Sequence, residues 1–170
     1  EKRRAASAML RGHGYRVAEV TLDFGDWAYH DPYARCVARN DQALAIRPDY
    51  AEAHGYLASA LHMLRQYDEA VASYRRALEL RPSSPYTWAN VAETRYRLGM
   101  TQPPFEQILV ETWRLGPSEP ETQRLLAELG LAMWDEVQPA TQGVVTAAVG
   151  AAMRRNPLET LQIAQRRGRL

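Results

Sequence analysis

Four histidines and one cysteine are the side chains of this chain best able to bind a metal or to attack a substrate: His13, His30, His54, His62 and Cys36. No two histidines stand four residues apart around a glutamate, the spacing that puts two imidazoles and a general base on one ion. His54 and His62 are separated by two helical turns and about 80° of rotation, too far for a shared ion. A lone cysteine excludes an internal disulfide and a thiolate cluster, and Cys36 has no neighbouring histidine to take its proton. There is no G-x-S-x-G elbow and no glycine-rich phosphate loop, and Gly12-His13-Gly14 is too short for one. Asp68-Glu69 and Asp135-Glu136 are adjacent carboxylates. Neighbours on a helix diverge by about 100°, so neither pair converges on one substrate. The expectation is a chain with no catalytic residue, no metal and no cofactor.

The basic side chains are the other reactive group. Of 21 basic residues Lys2 is the single lysine, an arginine bias that points to a GC-rich, bacterial coding source. The net charge is +1; residues 1–16 carry +4 and residues 132–170 carry +2, so the middle is acidic at −5. Arg154-Arg155 and Arg166-Arg167-Arg169 have the chemistry to meet phosphates or anionic head groups, and equally to complement the C-terminal end of a helix. The near-neutral balance, with no basic motif interleaved with aromatics, argues against a nucleic-acid partner.

The elements that would position these residues follow from a repeat. With 170 residues, 46 % hydrophobic and 24 % charged, the chain has the composition of one globular domain. Ala43, Leu44, Ile46, Arg47 and Pro48 recur 34 residues later as Ala77, Leu78, Leu80, Arg81 and Pro82. His54, Leu57 and Ala58 recur at the same offset as Trp88, Val91 and Ala92, and Pro117 follows Pro82. Leu57, Ala60, Leu61 and Leu64 share one helical face; Ala70, Tyr74, Ala77 and Leu78 share another. Arg47-Pro48-Asp49 and Arg81–Pro85 break helices, because the residue before proline leaves the helical region, and Gln66-Tyr67-Asp68 reads as the turn of a helical hairpin. One such hairpin leaves its apolar face open, and stacked neighbours bury it. Helices are further expected over Lys2–Arg11, from Asp31-Pro32, over Phe105–Leu115, Glu119–Leu129 and Thr141–Arg154, and after the cap Asn156-Pro157. Arg16–Leu22 reads as helix rather than strand, and no convincing strand is present.

Residues 51–84, AEAHGYLASALHMLRQYDEAVASYRRALELRPSS, resemble the tetratricopeptide repeat family through His54, Leu57-Ala58, Leu61, Ala70, Tyr74, Ala77 and Pro82. The resemblance is closest over 43–98 and extends in part over 17–130. It implies an all-α, right-handed α-solenoid of stacked antiparallel hairpins over 17–130, between an N-terminal basic helix (1–16) and C-terminal capping or docking helices (131–170). It implies close helix approach at Ala58, Ala70 and Ala77, with Tyr74 filling the space between hairpins. In that family the first helix of each hairpin lines a concave groove that binds a protein segment. Carried onto matching positions, the lining is Glu52, Gly55, Ser59, His62 and Met63, then Tyr86, Ala89, Glu93, Tyr96 and Arg97. Members that bind chaperone tails clamp a terminal carboxylate with lysine and asparagine. Ser59 and Ala89 stand at those positions here and the repeat region has no lysine, so that ligand is not expected.

Val137–Met153 is the longest uncharged run, 17 residues, short of the roughly 20 predominantly apolar residues a spanning helix needs. Its small residues Gly143, Ala147, Gly150 and Ala151 fall near one face. That face either closes the solenoid or docks a partner or a second copy of the chain. The expected function is a non-catalytic adaptor or scaffold that binds another protein. The alternative is an accessory subunit of a bacterial membrane-associated complex, such as one making or exporting envelope polysaccharide, because NPLETLQIAQRRGRL (156–170) resembles tails of small repeat proteins of that kind. The corresponding locations are cytoplasmic or membrane-associated, and Glu1-Lys2-Arg3-Arg4 would suit the flank of a preceding membrane segment.

Overall fold

The computed structural model describes residues 27–169, with side chains from residue 34 onward. The chain divides into two compact units, 1–31 and 32–170; apart from the start of α1, every described element belongs to the second. The expectations for Lys2–Arg11, Arg16–Leu22 and His13 lie outside the described residues, as does the side chain of His30. Among the described residues there are eight helices and no strand. They are α1 (Trp27–Ile46), α2 (Ala51–Met63), α3 (Tyr67–Leu80), α4 (Pro85–Arg97), α5 (Phe105–Leu115), α6 (Pro120–Ala132), α7 (Pro139–Arg155) and α8 (Pro157–Arg166). Helix α1 begins before the Asp31-Pro32 start that the sequence suggested, so Pro32 lies inside it. Pro32 is its sixth residue, past the first turn, so with no N–H to give the carbonyl four residues back the helix forgoes one backbone bond there.

Three antiparallel hairpins, α2–α3, α4–α5 and α6–α7, stack in sequence, and α8 lies against both α6 and α7. First helices lie beside one another (α2 on α4, α4 on α6), and α3 and α5 each pack against the following first helix. The result is a tetratricopeptide-like α-solenoid. The last hairpin runs across residue 130, where the sequence pattern of the repeat fades.

The same small devices recur in each hairpin. The loop before each first helix is fastened by a side chain six residues after its proline. His54 Nε2 meets the Pro48 carbonyl at 3.0 Å, Trp88 Nε1 donates to Pro82 at 2.8 Å, and Gln123 Nε2 donates to Pro117 at 2.8 Å. Histidine, indole and amide thus do one job, which hides the third copy from a search for aromatics. Helices α2 and α4 also end alike. Gln66 N–H bonds back to the Leu61 carbonyl and Met100 N–H to that of Arg95, both at 2.9 Å, around a residue in the left-handed region: Arg65 at φ 60° and Gly99 at φ 69°. The α2–α3 turn is therefore Leu64–Gln66 rather than Gln66–Asp68. Asp68 and Glu69 instead fall in the first turn of α3, where carboxylates favour the helix N-terminus.

The core runs continuously through the stack, from Ala58 and Tyr74 through Val91, Phe105 and Leu109 to Leu126 and Leu129. Ala58 and Ala70 are fully buried and Ala77 nearly so, which lets α2 and α3 approach closely. Helix α7 buries Thr141, Val145, Ala148 and Ala152. Its start is held by Glu106 of α5, whose Oε2 accepts the Gln138 backbone N–H at 3.0 Å and the Thr141 hydroxyl at 2.5 Å. This is a helix cap delivered from a neighbouring hairpin. Glu106→Ala is expected to cost about 1 kcal/mol, the usual value of a lost cap, read as a lower urea midpoint with an unchanged slope.

Candidate partner-binding groove

Two clefts lie along the first helices. The first, between α2 and α4, has a volume of about 270 Å³. Glu52, Gly55, Tyr56 and Ser59 of α2 face Tyr86, Thr87 and Asn90 of α4, and Tyr74 lies at the junction. On α2, Glu52, Tyr56 and Ser59 recur at i, i+4 and i+7, so one face delivers all three. Tyr56 and Tyr86 remain 63 % and 47 % exposed although their rings flank a concavity. At the rim Arg81 donates to Glu52 at 2.7 Å. Below it the Ser59 hydroxyl donates to the Gly55 carbonyl at 3.0 Å and so accepts the Tyr74 phenol, also at 3.0 Å. Burial pushes the Tyr74 phenol up to about 12. Tyr86 donates to the carboxylate of Glu119, the residue preceding α6, which raises its phenol above the ordinary value.

The second cleft, narrower, is lined by Glu93, Tyr96 and Arg97 of α4, by Arg124 and Glu128 of α6, and by Arg167 after α8. Arg97 pairs with Glu93 at 3.3 Å, and Glu128 holds both Arg124 (3.3 Å) and Arg167 (3.2 Å). The Arg124 hydrogen bond holds the Glu121 carboxyl below its usual range.

The residues expected from the sequence are thus divided. Glu52, Ser59 and Tyr86 meet in the first cleft, and Glu93, Tyr96 and Arg97 in the second. Met63 is exposed but lines neither. Ala89 is 1 % exposed and does not line the groove; Asn90 does. Both Tyr86–Ala89–Glu93 and Tyr86–Asn90–Glu93 are one-face spacings on a helix, so the pattern alone does not choose between them and the roll of α4 against its neighbours does. Tyr56, Asn90 and Arg124 were missed. Their signal was the i, i+4 step from Glu52, from Tyr86 and to Glu128.

His62 sits between the hairpins. Thr94 is fully buried and donates to the Asn90 carbonyl at 2.7 Å, so His62 Nδ1 is the donor in its 2.8 Å bond to the Thr94 oxygen. The ring also stands edge-on to Tyr67 at 5.2 Å. Burial lowers the His62 pKa below 6.5; Glu93 opposes the shift and Arg97 adds to it. A depressed imidazole means that the unfolded chain binds the proton more readily. His62 therefore contributes stability that is complete above about pH 6.5 and is lost as pH falls from there towards its folded pKa. Carboxylates such as Glu121 act in the same direction at lower pH. The stability of the parent and of His62→Gln, followed against pH by melting, should differ in slope below about pH 6.5, the variant being flatter.

The other candidates occupy different places. Cys36 is half-buried and unpaired by disulfide, with Asn40 donating to its carbonyl at 2.8 Å. Among the described residues no group of His, Cys, Asp and Glu is arranged to hold a metal ion. Of the C-terminal arginines, Arg155 holds Gln123 (3.1 Å) and the Ser118 carbonyl (2.9 Å), Arg167 holds Glu128, and Arg169 pairs with Asp135. These three serve the fold. Gly143 and Ala147 of α7 are exposed and Gly150 and Ala151 half-exposed; the last three line a shallow cleft with Trp113 of α5. No helix of the described residues is long and apolar enough to cross a membrane.

A family model described as Tetratricopeptide repeat matches residues 51–84, the hairpin α2–α3 with its flanking turn. No curated protein matches the chain.

Proposed function

We propose that the protein is a non-catalytic scaffold that holds a segment of a partner protein in the groove formed by α2, α4 and α6. A repeat-built, all-helical fold is consistent with an interaction scaffold. The observation that carries the groove reading is the first cleft, where two tyrosines stay exposed on either side of an open concavity. Folding gains nothing from leaving large rings in water, and tyrosine is the residue type that interfaces favour. The test is selection of a random-peptide display library on the full chain, with Tyr56→Ala/Tyr86→Ala as a second target. Both rings are surface-exposed, so the double variant should melt with the parent. Peptides retained by the parent and lost by the variant support the groove. Peptides retained equally by both, or none retained, would sink it.

A further inference from the structure

The chemistry of the first cleft narrows what its occupant carries. Among the described residues lining it, Arg81 is the one basic side chain, and it is already tied to Glu52. The Tyr86 hydroxyl is fixed on a carboxylate, that of Glu119, which is met there by a phenol and not by a cation. Two phenols of the cleft, those of Tyr74 and Tyr86, sense negative charge. Glu93 acts on Tyr74, and Glu119 and Glu121 act on Tyr86, all raising the phenol pKa. An acidic segment, or a terminal carboxylate, would meet this field with no cation among the described lining residues but the Arg81 already tied to Glu52. A cation is attracted twice, by the carboxylates and by the negative faces of exposed aromatic rings.

We infer that the cleft between α2 and α4 takes a basic side chain, lysine or arginine, of the partner segment, seated against the rings of Tyr56 and Tyr86 and facing the carboxylates of Glu52 and Glu119. The inference rests on the groove reading and adds the chemical identity of the anchor. Gly55 provides the room, since nothing lies within 4 Å of where a Cβ would stand there. Arg81 shares Glu52 with the incoming cation, and the bridge is exposed enough to exchange partners.

The test uses peptides selected on the full chain and lost on the tyrosine double variant. Each is resynthesised with its basic residue replaced by the neutral isostere, norleucine for lysine or citrulline for arginine, and titrated against the parent and against Glu119→Gln. The expected result is a shared lysine or arginine, binding about tenfold weaker with the isostere, a smaller loss with Glu119→Gln, and weakening with added salt. Selected peptides that are lost on the tyrosine double variant but carry no basic residue, or tolerate the isostere, would overturn the inference and leave the groove standing. Failure to select any peptide that depends on the tyrosines would remove the groove and the inference together.

Discussion

Tyr74→Ala is expected to remove about 3 kcal/mol or more of stability, the range found when a large buried aromatic is truncated. Tyr74 is 2 % exposed and belongs to the core that joins the α2–α3 hairpin to α4. Helices around a stacking contact do not collapse freely into the space, because each is held by a neighbour on its other side. The hydroxyl adds a second, separable part. It donates to Ser59, whose own proton is committed to the Gly55 carbonyl. Tyr74→Phe should therefore cost only about 1 kcal/mol, one modest hydrogen bond. Chemical denaturation of the two variants separates the terms. An unchanged midpoint for the alanine variant would place Tyr74 outside the core and break the register of the whole repeat.

How much of the fold was legible depended on which force fixed each position. The 34-residue offset exposed the first two hairpins, because the same alanines and the same proline must recur wherever helices stack alike. The third hairpin was obscured because its fastening residue is Gln123 and its second helix, α7, packs with Thr141, Val145, Ala148 and Ala152 rather than with an aromatic. The devices that hold α7 and the end of the chain are long-range: Glu106 capping it from α5, Arg155 gripping Ser118, Arg167 reaching Glu128. No local pattern encodes such pairs. The lining of the two clefts was legible only in part, since Met63 and His62 line neither. Spacing identified the face of α4, and only its packing placed Asn90 in the cleft and Ala89 beneath the surface.

The close approach of α6 and α7 yields the second large effect. A Cβ added at Gly130 would lie 2.3 Å and 2.6 Å from the two γ-carbons of Val145 and 3.0 Å from its Cβ. Val145 is fully buried, and a β-branched side chain in a helix has one strongly preferred rotamer, so the methyls have no easy place to go. In an exposed helix Gly→Ala would gain about 1 kcal/mol from backbone entropy. Here overpacking should reverse the sign, giving Gly130→Ala a net loss of about 2 kcal/mol. Val145→Ala alone opens a cavity and should also destabilise, again by about 2 kcal/mol. Combined, the new methyl enters the space that the valine vacated. The double variant should then be more stable than the sum of the single losses by about 1–3 kcal/mol, the coupling expected of residues in direct contact. Additive losses in urea melts would mean that the two helices do not meet at this pair. The contact also sets the roll of α7. With Val145 inward against Gly130, the side bearing Gly143, Ala147, Gly150 and Ala151 turns outward. A variant that relaxes the contact should therefore alter the exposure of that side together with the stability of the hairpin, which amide exchange along α7 would report.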